Sequence, residues 1–259
     1  MIDRIKEAFE NGKAFIPFIT SGDPSLETTE QLVYAMDDAG ADIIELGVPF
    51  SDPTAEGPVI QAANLRALSA GTTTDKIFSM IAKIRQKTQI PLILMTYANV
   101  VYSYDTELFL KKAASVGVDG LILADVPYEE KEEFSDVCDE YGLCLISMVA
   151  PTSKERIKMI AKDAKGFVYC VSSLGVTGTR KEIKTDVSSM VKLVKEANDI
   201  PCVIGFGISM PETAREMALQ SDGAIVGSAI VKICEKYGAE SVPYVSGYVK
   251  QMKEAVSEL

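Results

Sequence analysis

Glu45 interrupts an apolar run, Asp42-Ile-Ile-Glu-Leu-Gly-Val48, and two more acids, Asp52 and Glu56, follow it closely. In an extended chain, alternation puts Ile43, Glu45 and Gly47 on one face and Ile44, Leu46 and Val48 on the other. A buried, ionised carboxylate costs several kcal/mol unless it is paired or protonated. Glu45 therefore reads either as a buried acid satisfied by backbone N–H or Tyr hydroxyl groups, or as a carboxyl whose pKa is tuned for proton transfer. Its place near a strand end favours the second reading. The chain contains no His, which removes the commonest general base and every Ser-His or Cys-His nucleophile pair. Proton transfer then falls to carboxylates, Lys, Tyr or Cys.

The segment Pro49-Phe-Ser-Asp-Pro-Thr-Ala-Glu-Gly-Pro58 holds three prolines and a glycine, which marks a structured, non-regular loop. Asp52 reads equally as a turn or cap residue, and Glu56 is open in the same way. Asp125, at the end of another apolar run, either acts directly or orders a loop. Glycines gather late in the chain, at Gly175-Val-Thr-Gly178, Gly205-Phe-Gly207 and Gly227-Ser228, the last leading into the apolar helix start Ala229-Ile-Val-Lys232. Gly lets backbone approach a ligand closely, and a helix N-terminus favours an anion, so together these clusters suggest a phosphate cradle. Tyr97, Tyr169 and Phe18 lie in or at the end of apolar runs; they are core mass or the walls of a flat-ring pocket.

Eight short apolar runs could position these groups: Ala14–Thr20, Asp42–Val48, Pro91–Asn99, Gly120–Val126, Cys144–Ala150, Phe167–Ser173, Pro201–Gly207 and Gly223–Gly227. Most are apolar on both faces, as parallel strands covered on each side should be. Amphipathic stretches alternate with them, at Pro24–Ala39, Thr74–Lys87, Glu107–Val116, Glu129–Tyr141, Ser153–Asp163, Val187–Ala197 and Pro211–Leu219. Ser153 and the Ser209-Met-Pro-Glu212 segment read as helix starts, and Glu240–Leu259 as a closing helix. Eight β-α steps with no dividing linker predict one domain over residues 1–259, a (β/α)₈ TIM barrel of the α/β class with an additional N-terminal helix. A doubly wound open sheet is the alternative. The barrel puts catalytic groups at the C-terminal strand ends.

The net charge of −11 argues against a general nucleic-acid binder and against docking on anionic membrane. Backbone N–H groups could still hold one phosphate. No apolar run is long enough to span a membrane, and the start, MIDRIKEAFE, lacks the apolar core of a signal peptide. The five cysteines, Cys138, Cys144, Cys170, Cys202 and Cys234, read as buried reduced thiols of a cytoplasmic protein. With no CxxC and no His, a metal site is not expected.

Motifs in order along the whole chain resemble the tryptophan synthase alpha subunit family. They are Phe15-Ile-Pro-Phe-Ile-Thr-Ser-Gly-Asp-Pro24, Glu45-Leu-Gly-Val-Pro-Phe-Ser-Asp-Pro53 with Gly57-Pro58, Thr96-Tyr-Ala-Asn99, Ala124-Asp-Val-Pro127, Gly175-Val-Thr-Gly178, Gly205-Phe-Gly-Ile208 and Gly227-Ser-Ala-Ile-Val-Lys232. The resemblance implies a lyase that splits indole-3-glycerol phosphate into indole and glyceraldehyde 3-phosphate. It implies that Glu45 moves the protons and that a second acid, here Glu56 where the family pattern has Asp, polarises the indole N–H. Phe18, Ile60, Tyr97 and Tyr169 would line the indole pocket. Gly178, Gly207, Gly227 and Ser228 would hold the phosphate, and Thr177 would lie in a closing loop. Pro49 and Asp52 would meet a beta subunit in an α₂β₂ complex. That partner, not this chain, would hold pyridoxal phosphate, and no cofactor is expected here. A free-standing lyase that releases indole fits the same residues. Retention of both acids argues against a barrel that serves mainly as an activator of its partner.

Overall fold

The computed structural model describes residues 4–171, 186–205 and 207–257. Among the described residues the strands are β1 (Ala14–Thr20), β2 (Ile44–Gly47), β3 (Leu92–Thr96), β4 (Gly120–Leu123), β5 (Cys144–Leu145), β6 (Ser147–Val149), β7 (Val168–Val171), β8 (Cys202–Gly205) and β9 (Gly223–Val226). The α-helices are α1 (Arg4–Glu7), α2 (Leu26–Asp38), α3 (Pro58–Ser69), α4 (Thr74–Ile84), α5 (Ala98–Tyr104), α6 (Thr106–Ser115), α7 (Glu132–Tyr141), α8 (Lys154–Lys162), α9 (Val187–Ala197), α10 (Pro211–Leu219), α11 (Ser228–Tyr237) and α12 (Val242–Ser257).

The strand order is β5-β4-β3-β2-β1-β9-β8-β7-β6, with parallel pairing throughout. The two ends of that order are one continuous stretch of chain. β5 pairs with β4, β6 pairs with β7, and only Ile146 separates them. The fifth barrel strand therefore closes the ring by turning from one neighbour to the other, and the open-sheet alternative is excluded.

Alternation sorts the strand side chains into two cores. Ile16, Ile43, Ile93, Ile122, Ile146, Tyr169, Val203 and Ile225 fill the barrel. Ile44, Leu46 and Val48 belong to the outer core with Phe78 and Ile81 of α4. The N-terminal helix plugs the lower mouth. Ile5 of α1 is 1% exposed and belongs to the inner core, and Phe9 stacks 5.9 Å from Phe167. Burying a side chain the size of Ile5 contributes roughly 1.5–3 kcal/mol.

Several expectations change in detail. β1, α9 and α10 have the predicted bounds. Pro91–Asn99 shortens to β3 because α5 begins at Ala98, and Cys144–Ala150 splits into β5 and β6. The Glu129–Tyr141 pattern opens with a 3₁₀ turn at Tyr128–Glu130 before α7. Helix α3 follows directly on the proline-rich loop, with Pro58 in its first turn, where the missing N–H costs nothing. Ser153 caps α8 as expected, accepting from the Arg156 N–H at 3.2 Å. Ser209 does not cap α10; Met210 occupies that position. Four cysteines are buried, whereas Cys144, at the start of the two-residue strand β5, is only half-buried. Among the described residues, no helix is long and apolar enough to cross a membrane, and no cluster of His, Cys, Asp or Glu could hold a metal ion.

Candidate active site

β2 carries Glu45 into the barrel, in register with Phe18 on β1 and Ile93 on β3. Above this layer lies a cavity of about 510 Å³, counting space open to solvent. Glu45, Glu56, Phe18, Ile60, Met95 and Tyr169 line it, together with Gly207, Ile208, Ile225, Gly227 and Ser228. Nearly all these positions are strand C-termini or the segments just beyond them, as the barrel rule requires.

Two glycines make room for the aromatic walls. A Cβ on Gly47 would stand 2.6 Å from Cζ of Phe18, and one on Gly205 would stand 2.4 Å from the Tyr169 hydroxyl oxygen. Either atom would force the ring to move.

Glu45 is 1% exposed, and neither carboxyl oxygen has a hydrogen-bond partner among the described residues. Burial alone pushes its pKa up to about 8. The neutral acid is therefore the dominant form at neutral pH. Tyr169 is fully buried beside it, and its hydroxyl pKa is raised by burial and then by the Glu45 charge.

Glu56 has a different setting. Asn64 of α3 donates from Nδ2 to its Oε2 at 2.7 Å. Burial raises the pKa to about 6, while the bonds from Asn64 and Tyr97 hold it down. Glu56 is thus mostly ionised at neutral pH.

Tyr97 departs from its expected place. It sits just beyond β3 as the N-cap residue of α5, 2% exposed, and is not among the cavity-lining residues. Its hydroxyl accepts from the Ala55 N–H at 3.2 Å and bonds to Glu56. Tyr97 therefore braces the acid-bearing loop. Asp125 orders a loop: it accepts the Ala98 N–H at 2.9 Å and caps the start of α5. Met95, Ile208 and Ile225 line the cavity without having been singled out from sequence. A signal existed for Met95, which follows inward-facing Ile93 at strand spacing.

Opposite the acids, Gly227 occupies the N-cap of α11, where no side chain caps the helix. Its first N–H groups are thus available to an anion beside Ser228 and Gly207. Thr177 and Gly178 lie outside the described residues.

The family model described as Tryptophan synthase alpha chain matches residues 5–257. The chain belongs to the tryptophan synthase alpha chain family. A tryptophan synthase alpha chain from Thermoanaerobacter sp. (strain X514) is 47% identical over 262 residues, covering 98% of this chain and 100% of that one. One from Caldanaerobacter subterraneus subsp. tengcongensis is 49% identical over 249 residues, covering 95% of each. Among solved structures, tryptophan synthase subunit alpha from Legionella pneumophila str. Paris superposes with a TM-score of 0.91 at 36% identity, covering 100% of both chains. A tryptophan synthase complex from Pyrococcus furiosus gives 0.87 at 33% identity, covering 94% of this chain and 99% of that one.

Two positions that the tryptophan synthase alpha resemblance linked to a partner behave differently. Asp52 is exposed and accepts from the Ser51 hydroxyl at 2.5 Å. Pro49 is buried within the chain, two residues beyond the end of β2. Its half-buried neighbour Phe50 packs against Tyr97 with ring centroids 5.3 Å apart.

Proposed function

We propose that this chain, as one barrel domain, cleaves indole-3-glycerol phosphate by a retro-aldol reaction and passes the indole to a beta subunit in a cytoplasmic α₂β₂ complex. One observation carries the reading: a buried carboxyl without described partners, Glu45, and a hydrogen-bonded one, Glu56, line a cavity that also contains an uncapped helix N-terminus. A related Pyrococcus furiosus protein is described as part of an a2b2 complex, which supports the partner assignment.

The reaction needs a proton delivered to ring carbon C3, because an aromatic carbon leaves only once its π system has been interrupted. Glu45, with its pKa near 8, carries that proton at neutral pH. Protonation at C3 places positive charge on the ring nitrogen. Glu56, ionised above about 6, accepts the ring N–H and stabilises that charge. The Glu45 carboxylate then takes the proton of the glycerol hydroxyl next to the ring. The C–C bond breaks, its electron pair restores the indole, and the hydroxyl-bearing carbon becomes the aldehyde. Glu45 ends each turnover protonated, so no outside base is consumed. Phe18 and Ile60 supply apolar surface for the ring, and the N-terminus of α11 with Gly207 and Ser228 holds the phosphate.

The test is to mix purified protein with indole-3-glycerol phosphate and measure indole, with and without a beta subunit. Indole in both arms, faster with the partner, is expected. Indole unaffected by any beta subunit points to a free-standing lyase, and no indole in either arm overturns the activity.

A further inference from the structure

We infer that Asn64 is a positioning residue for this reaction: from helix α3, together with Tyr97, it fixes the Glu56 carboxylate in the orientation that receives the ring N–H. The inference rests on the function proposed above and adds a residue to it.

Glu56 stands on a proline-rich, non-regular loop, and its side chain has several free torsions. Ordering such a side chain costs up to ~2 kcal/mol. The loop supplies little to hold it, so the restraint comes from regular elements on either side. Asn64 is 3% exposed and lies mid-way along α3, and its Nδ2 donates to Oε2 of Glu56 at 2.7 Å. Gln61 of the same helix donates to the Glu56 backbone carbonyl at 2.8 Å. From the start of α5, the Tyr97 hydroxyl bonds to Glu56 and accepts the N–H of its neighbour Ala55. A carboxylate offers about four acceptor sites. Two protein donors therefore leave it able to accept a third bond from substrate.

Helix α3 is itself anchored. Arg66, two residues beyond Asn64, forms a bidentate pair with buried Asp23 at 2.8 Å on both arms, and reaches Glu235 of α11 at 3.1 Å. Asn64 thus projects from an element pinned both to the loop after β1 and to the helix proposed to bind phosphate. Such support of a functional carboxylate from rigid elements is what precise geometry requires.

Donors to a carboxylate also favour its ionised form. The other titratable groups around Glu56 are Glu45 and Tyr169 across the cavity, Tyr97 beside it, and Asp125 beyond Tyr97. Among the described residues none of these is a cation, so removing Asn64 leaves Tyr97 as the chief described group holding the acid ionised.

The experiment compares Asn64→Leu, Asn64→Asp, Glu56→Gln and the Asn64→Leu/Glu56→Gln double variant in indole-3-glycerol phosphate cleavage, with thermal unfolding recorded for each. Asn64→Leu should lower kcat/KM about tenfold and move the acidic limb of its pH profile upward from about 6. Asn64→Asp, which sets a second carboxyl against Glu56, should move the limb further. In the Glu56→Gln background, Asn64→Leu should cost less than about twofold, because the group it positions is gone. Equal losses in both backgrounds, or an acidic limb that stays in place in the folded variants, overturn the inference and leave Asn64 a structural residue. If Asn64→Leu does not fold, the Asn64→Asp pH profile decides alone. Failure of the wild-type protein to make indole would instead overturn the proposed activity.

Discussion

At the lower mouth of the barrel, Asp42, Asp119 and Asp222 each accept a strand N–H and each face a cation; at the upper mouth, Glu45 has neither among the described residues. Asp42 takes the Phe15 N–H and Lys253, both at 2.7 Å. Asp119 takes the Leu92 N–H at 2.8 Å, Arg4 at 2.8 Å and Arg85 at 2.7 Å. Asp222 takes the Cys202 N–H and Lys195, both at 2.8 Å. Near the upper ends of β1 to β3, the buried hydroxyls of Thr20, Ser21 and Thr96 join Glu45 in having no hydrogen-bond partner among the described residues. The same strands run through both ends, so the difference is not one of secondary structure. Acids at the lower end are hydrogen-bonded and ion-paired, Asp42 included even though burial raises its pKa, and those bonds hold strands and helices together. At the upper end Glu56 keeps its partners, whereas Glu45 has none among the described residues, which keeps it ready to exchange a proton.

That contrast can be broken in order of effect. Glu45→Gln should lower kcat by roughly 10²–10⁴-fold in a steady-state indole assay; turnover within tenfold of wild type would contradict its role. Asp119→Ala should do the reverse. It leaves the nearly buried Arg85 guanidinium without its counter-charge, though still bonded to the Gly117 and Ile90 carbonyls, destabilising the fold by about 3 kcal/mol in denaturant unfolding while changing kcat little.

The same Glu45→Gln change should stabilise the protein. The acid titrates near 4.5 when unfolded and near 8 when folded. Between those values the folded state holds a proton that the unfolded state has released, so wild-type stability falls as pH rises through the window. The variant should therefore match wild type near pH 4.5 and exceed it by a few kcal/mol at pH 8. Melting curves at both pH values measure this. In the intact enzyme, kcat/KM should form a bell, falling below about 6 as Glu56 protonates and above about 8 as Glu45 ionises. Glu56→Gln should flatten only the acidic side. The smallest effect belongs to Ser153→Ala on α8, far from the cavity. Loss of that cap should cost about 1 kcal/mol of stability with no change in turnover.

Much of the upper mouth was legible along the chain. Alternation alone put Ile43, Glu45 and Gly47 inside and Ile44, Leu46 and Val48 outside, and the two cores follow that division. Gly227-Ser228 was readable as a helix start because an apolar helical pattern follows it. Helix α3 escaped notice because three nearby prolines dominate the reading of that stretch. Yet Ile60, Ala63, Asn64 and Ala67 repeat at helical spacing and are all buried. Asn64 was invisible as a functional residue for a related reason. Within that pattern it reads as one more inward position, and only its neighbour across the turn gives it work. Tyr97 was placed in the strand because an aromatic residue at the end of an apolar run looks like a strand residue; its backbone is indeed extended, but it lies beyond β3 as the N-cap from which α5 starts.

The sequence by itself determined the alternating β-α order, the inward face of Glu45 and the absence of histidine chemistry, because these depend on residue identity and spacing over a few positions. Tertiary structure alone decided that the fifth strand divides to close the barrel and that Pro49 is covered. It also decided that Glu45 has no partner among the described residues while Asn64 and Tyr97 converge on Glu56. Each of those outcomes depends on which distant segments meet, and desolvation and hydrogen-bond geometry exist only once they have met.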